Sequence, residues 1–172
     1  HFMTKRFDRE DNNTKHHVQT FCAMQHVDFN EVASFSYEQL FQTMRVLRLP
    51  FPQAEQQFRR MAFNVIAKNC DDHTKNFGFR MKENQPWELA PAYDICYAYR
   101  EDSQWVSQHA LSINGKRKNI TRDDLLVFAK SISIKKGNQI IDEIVNTVAN
   151  WKNYATKWKV KPELAKEIEK NL

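Results

Sequence analysis

Between residues 58 and 66 the apolar side chains Phe58, Met61, Ala62, Val65 and Ile66 recur at the spacing that lines one face of an α-helix. The pattern ends near Lys68 and runs directly into Asn69-Cys70-Asp71-Asp72-His73-Thr74-Lys75-Asn76, a stretch too polar for a strand and without helical periodicity. Strand-like pieces follow at Phe77 to Met81 and Trp87 to Ala90. The predicted order is helix, polar loop, hairpin, with this helix central to the core, and a hairpin is how a chain returns to its starting point.

The remaining punctuation is mostly helical. Asp11-Asn12-Asn13-Thr14 is a turn cluster, and Thr14 is placed to cap a helix over about residues 16 to 27 with Phe21, Cys22 and Met24 inward. Ser36 with Gln39 makes a capping box that starts a second helix running to about Leu47. Pro50 and Pro52 end one element and begin the next. Residues from Ser103 to Gly115 read as irregular, Thr121 with Asp124 opens a helix through about Ser131, and Ile140, Ile141, Ile144, Val145 and Val148 mark another. Trp151 and Trp158 come next, and Pro162 opens a terminal helix of alternating charge. His1 to Arg9 reads as a strand entering a charged loop, as if the chain were met in mid-domain. The expected fold is mainly α with a small β-hairpin.

A chain of 172 residues is long enough to bury roughly two-thirds of the surface its unfolded form exposes, so a real core is expected. No stretch approaches the ~20 apolar residues of a membrane helix, which predicts a soluble protein with no membrane partner. Cys22, Cys70 and Cys96 lack the paired spacing of a zinc site and no signal peptide is recognisable, which suggests a reducing, cytoplasmic setting. The net charge of +5 is spread among 21 acidic residues and is a poor argument for DNA binding. With only Gly78, Gly115 and Gly137 present, neither a G-x-G-x-x-G turn nor a G-x-x-x-x-G-K-[ST] loop exists here. Any glycine loop that cradles phosphate must lie elsewhere.

Asp71 and Asn76 stand five residues apart, and Asp94 lies 23 residues beyond Asp71, past the hairpin. That is the order of parts in phosphoryl transfer, which needs a carboxylate to take or orient a hydroxyl proton and oxygen ligands for the magnesium that neutralises a triphosphate. The D-x-x-x-x-N spacing alone is weak, and its context strengthens it. Phe63-Asn64-Val65-Ile66-Ala67 leading into Asp71-Asp72-His73-Thr74-Lys75-Asn76-Phe77 resembles the catalytic loop of the HipA family of bacterial serine/threonine toxin kinases. Leu89-Ala90-Pro91-Ala92-Tyr93-Asp94 is similar to its metal-binding segment, and Arg6-Phe7-Asp8-Arg9 to the stretch after the hinge between its lobes. Ser112-Ile113-Asn114-Gly115-Lys116-Arg117 and Thr121 to Leu126 also resemble such sequences.

The resemblance implies a protein-kinase-like C-terminal lobe over residues 11–172, preceded in 1–10 by the end of an N-terminal lobe and its hinge. It implies Asp71 as catalytic base, Asn76 and Asp94 as Mg²⁺ ligands, and Lys5, Arg6 and Phe7 as the hinge whose backbone meets the adenine of ATP. It places His73 and Lys75 beside the phosphates, with Lys75 offsetting transferred charge, and Tyr93 flanking the nucleotide. A protein substrate such as an aminoacyl-tRNA synthetase is implied, with a helix-turn-helix antitoxin as the partner through which DNA is met. The family's phosphate loop, N-lobe lysine and autophosphorylated serine belong to an N-terminal part outside this sequence, expected as a further segment or subunit.

The plainer readings are an Asp pair capping a turn at Asp71 and Asp72, a solvated turn residue at Asp94, and a bracing histidine at His73. Against the second stands the placement of Pro91 to Ile95 between apolar segments, where an unpaired carboxylate is costly. His16, His17, His26 and His109 lack zinc-ligand spacing on one helix face, the aromatics read as packing, and Cys70 has no base near it in sequence. The rival function is a non-enzymatic module that binds an antitoxin in a repressor complex on DNA.

Overall fold

The computed structural model describes residues 3–28, 30, 31 and 34–172. In chain order these form β1 (His17–Thr20), α1 (Phe21–Gln25), α2 (Tyr37–Val46), α3 (Phe51–Ile66), β2 (Gly78–Met81), β3 (Trp87–Leu89), α4 (Arg122–Ser131), α5 (Gly137–Ala149), α6 (Trp151–Lys157) and α7 (Pro162–Glu169). The described chain is helix-rich with one antiparallel sheet in the order β1-β2-β3.

Local chemistry sets most of the helix ends. Ser36 and Thr121 each close a reciprocal capping box, with Gln39 and Asp124 respectively, so two orphan backbone donors are satisfied at each start. Pro50 caps α3 and Pro52 lies in its first turn, where a missing N–H costs nothing. The inward face of α3 buries Phe58, Met61, Ala62 and Val65, and α5 packs against it with Ile140, Ile141 and Ile144 buried. Gly137 permits the close crossing with α4, since a Cβ there would lie 2.6 Å from that of Ala129. Tyr37, Phe21, Phe79 and Phe128 complete the core.

Three expectations are corrected. Residues 3–8 form no strand; the chain turns at Phe7 and Asp8, Arg9 bridges back to Lys15, and His16 N–H donates to the Asp8 carbonyl at 3.0 Å. Part of this polar loop's backbone is satisfied within the loop, and residues 1 and 2 lie outside the described part. The helix expected over residues 16 to 27 is instead strand β1 followed by the short α1, capped by Thr20 rather than Thr14. Val18 and Thr20 are β-branched, and β1 takes the open edge of β2 with Val18 opposite Arg80, a distant pairing that overrides local helix signals. The hairpin of β2 and β3 is present as expected, but β1 makes the sheet three-stranded.

Candidate functional site

Helix α3 ends at Ile66, the chain turns at the left-handed Lys68 (φ 55°) two residues on, and the polar octet then runs beside residues 97–99. Cys70 N–H donates to the Ala98 carbonyl and Ala98 N–H to that of Lys68, both at 3.0 Å. This short parallel stitch brings the chain beyond Asp94 back to the chain before Asp71. Asn76 closes the octet from the other end, its Nδ2 donating to the Asp71 carbonyl at 2.9 Å, within a single 3₁₀ turn over Thr74–Asn76.

The Asp71 carboxylate is half-buried, and His73 Nε2 lies 3.8 Å from its Oδ1. Burial raises the Asp71 pKa, the charges of Asp94 and Asp72 raise it further, and His73 opposes them. Asp71 and Asp94 therefore feel one another across 23 residues of sequence. The Cys96 thiol is likewise pushed up, by burial and by the charges of Asp94 and Asp71. Tyr93, next to Asp94, donates its hydroxyl to the Lys75 carbonyl at 2.7 Å and stacks on Phe7 with ring centroids 5.9 Å apart. Burial and Asp94 push the Tyr93 phenol up to about 12, against Arg60.

An open cleft of 910 Å³ is lined by Lys5, Arg6, Phe7, Tyr93, Asp94 and His17 among others. The structure thus brings the first-turn residues Lys5 to Phe7 together with Tyr93 and Asp94. Asp71, His73, Lys75 and Asn76 are not in that lining; they adjoin it through the Tyr93–Lys75 bond and the Asp71–Asp94 repulsion. Arg6 holds Asp8 with bonds of 2.8 and 2.7 Å, which draws the Asp8 carboxyl down to about 2. The Phe7 carbonyl already accepts from Arg80 Nη1 at 2.7 Å, so it is one backbone acceptor that is committed to the sheet.

The expected burial around Asp94 is corrected. Asp94 is exposed with φ 53°, its neighbours Pro91 and Ala92 are exposed, and Ile95 is 38% exposed. The apolar residues flanking it belong to the cleft wall and not to the core, so its charge is solvated. Among the described residues no three His, Cys, Asp or Glu side chains form a metal cluster. The oxygen donors for a metal are the Asp94 carboxylate and the Asn76 amide oxygen, whose nitrogen is already engaged, with the charge of the Asp71 carboxylate close by. Such an all-oxygen set, with a second carboxylate repelling the first, suits a hard cation such as Mg²⁺ and not zinc.

Asp72, which sequence offers only as half of a turn-capping pair with Asp71, is fully buried. Its carboxylate accepts from Tyr37 Oη at 2.7 Å, from the Ala110 N–H at 2.7 Å and from His109 Nδ1 at 3.0 Å. Asn64 Nδ2 donates to Tyr37 Oη at 3.0 Å, and Asn69 Nδ2 to Asn64 Oδ1 at 3.0 Å. His109 also places Nε2 3.9 Å from Cys70 Sγ, a neighbour of that thiol which sequence proximity did not show. One carboxylate thus ties the polar octet to α2, α3 and the 109–110 segment.

Burial pulls the His109 pKa down, but the hydrogen bond and charge of Asp72 more than offset this, so the imidazolium is favoured. A folded pKa raised above the unfolded value of ~6.5 gives stability that is complete below that pH and is lost as pH rises through the folded value. Chemical denaturation between about pH 7 and 9 is expected to show stability falling with pH. His109→Gln should flatten that slope, whereas equal slopes in both proteins would mean that His109 is neutral when folded.

The profile of the family described as the HipA-like C-terminal domain matches residues 1–152. No curated protein matches. Among solved structures, the chain is similar to one in the Shewanella oneidensis MR-1 toxin–antitoxin complex of HipA, HipB and operator DNA. The TM-score is 0.66 at 19% identity, over 98% of this chain. The chain spans 42% of the length of that relative. The loop, the cleft and the helical scaffold around them are accordingly those of a member of the HipA-like C-terminal domain family.

Proposed function

We propose that this chain is the kinase-like C-terminal lobe of a protein serine/threonine kinase, the toxin of a toxin–antitoxin pair, with Asp71 as its base. The observation that carries the reading is the bond from the Tyr93 hydroxyl to the Lys75 carbonyl, which ties the segment bearing Asp94 to the loop bearing Asp71 beside a cleft walled by Lys5 to Phe7 and Tyr93. The substrate is ATP together with a serine or threonine hydroxyl of a protein. As that oxygen bonds to the γ-phosphorus, the bond to the β–γ bridging oxygen breaks, ADP departs, and Asp71 takes the hydroxyl proton. A carboxyl raised by burial and like charge is a better proton acceptor than a solvated aspartate.

The other residues have supporting roles. Asn76 and Asp94 would hold Mg²⁺, which when bound neutralises triphosphate charge. Lys75 and His73 adjoin the phosphates, Lys5 and Arg6 line the nucleotide cleft, and the stacked Phe7 and Tyr93 flank the base. By likeness to the chain solved with HipB and operator DNA, the partner is a helix-turn-helix antitoxin and DNA is met through it. The resemblance makes an aminoacyl-tRNA synthetase the expected target. These belong to the whole protein, of which the N-terminal lobe is a required part.

Mg²⁺-dependent ATP binding by the full-length protein tests the assignment. Asp94→Asn should weaken it at least tenfold, because the substituted amide lacks the charge that a hard cation prefers. Unaltered Mg²⁺ dependence would remove Asp94 from the site. A full-length protein that binds its antitoxin yet neither binds ATP nor transfers phosphate would favour the interaction-module reading.

A further inference from the structure

A second cavity, of 390 Å³, opens beside the Asp72–His109 pair and shares no residue with the nucleotide cleft. Its cationic walls are Lys68, Arg117 and Lys118, with Glu101 as the one acidic residue in its lining and His109 paired internally with Asp72. None of the three cations forms an ion pair among the described residues.

The frame is built rather than incidental. His109 N–H donates to the Arg117 carbonyl at 2.8 Å, and Arg117 Nε donates back to the His109 carbonyl at 2.7 Å. That double link fixes the guanidinium, commits Nε to the wall and leaves its Nη groups without an acceptor among the described residues. Arg117 is only partly exposed; burial lowers its pKa and the charge of Asp72 opposes this, while no acidic side chain forms an ion pair with it among the described residues. Lys68 is anchored as well, its Nζ 5.4 Å from the centroid of the Tyr99 ring. Ser107 and Asn119 add polar groups to the lining.

We propose that this pocket binds a phosphate monoester. Three cations against one acid leave a surplus of two positive charges, since His109 and Asp72 cancel one another. A phosphoryl dianion matches that surplus and a monocarboxylate does not, and a guanidinium fork suits phosphate oxygens. The volume lies within the range of small-ligand sites, roughly 300–1,000 Å³, so it admits an organic group along with the phosphoryl.

The test is calorimetric titration of the full-length protein with inorganic phosphate and with O-phosphoserine, against chloride at matched ionic strength. Both phosphates are expected to bind and chloride not. Tighter binding of O-phosphoserine than of inorganic phosphate is the expected result, and equal binding of the two would overturn the monoester assignment in favour of a free anion. Lys68→Gln with Lys118→Gln should weaken either phosphate at least tenfold without loss of fold, since neither ammonium holds a hydrogen bond in the described structure. Lys5→Gln, in the other cleft, should leave binding unchanged. Absent binding, binding that survives the double substitution, or a loss confined to Lys5→Gln would each overturn the proposal.

Discussion

Asp71→Ala in the full-length protein is expected to lower phosphoryl transfer by about 10²–10⁴-fold, the span that a positioned acid–base group contributes. The fold should survive. Among the described residues the Asp71 side chain makes only the 3.8 Å approach to His73, and the bond that closes the loop, from Asn76 Nδ2, ends on its backbone carbonyl. Mg²⁺-ATP affinity should also change little, because the proposed metal ligands are Asn76 and Asp94. The signature is therefore a fall in kcat with nearly constant affinity and an unchanged melting temperature. Transfer that persists within about threefold would disqualify Asp71 as the base.

Asp72→Ala should act in the opposite way, through the fold. Its carboxylate is the common acceptor of Tyr37 Oη, the Ala110 N–H and His109 Nδ1, with no exposure to water. Removal leaves a buried imidazolium without its counter-charge and strands two other donors. Breaking one side of a buried pair costs about 3–5 kcal/mol, a large share of the ~5–15 kcal/mol that holds a domain together. Urea denaturation of the two proteins measures the difference, and a loss below about 1 kcal/mol would show that the pair relaxes into water. Neighbouring aspartates thus have separable readouts, rate for Asp71 and stability for Asp72.

What sequence disclosed of this molecule was what is encoded within a few residues. The capping boxes at Ser36 and Thr121, the prolines before α3 and the hairpin of β2 and β3 all depend on local spacing, and all are present. Strand β1 was misread because its partner β2 lies some 60 residues away, and no local propensity reports that edge. The polar octet was legible as a unit, yet the sorting of its two aspartates, one partly open and one sealed, depends on His109, 37 residues later. His109 had been weighed only for zinc spacing. A histidine with a carboxylate partner leaves no periodic trace, so the one available signal was the doubled aspartate itself. The cleft shared by Phe7 and Tyr93 was reached through family likeness, since nothing in their spacing brings them together.

The Tyr93 hydroxyl ends on the main chain of Lys75 and not on its side chain. A tether of that kind is blind to the identity of its anchor. Related chains are free to exchange the side group carried at this point, and with it the charge offered to a reactant, while the spacing between the two loop segments stays as it is. Chemical variety and mechanical alignment are inherited separately here.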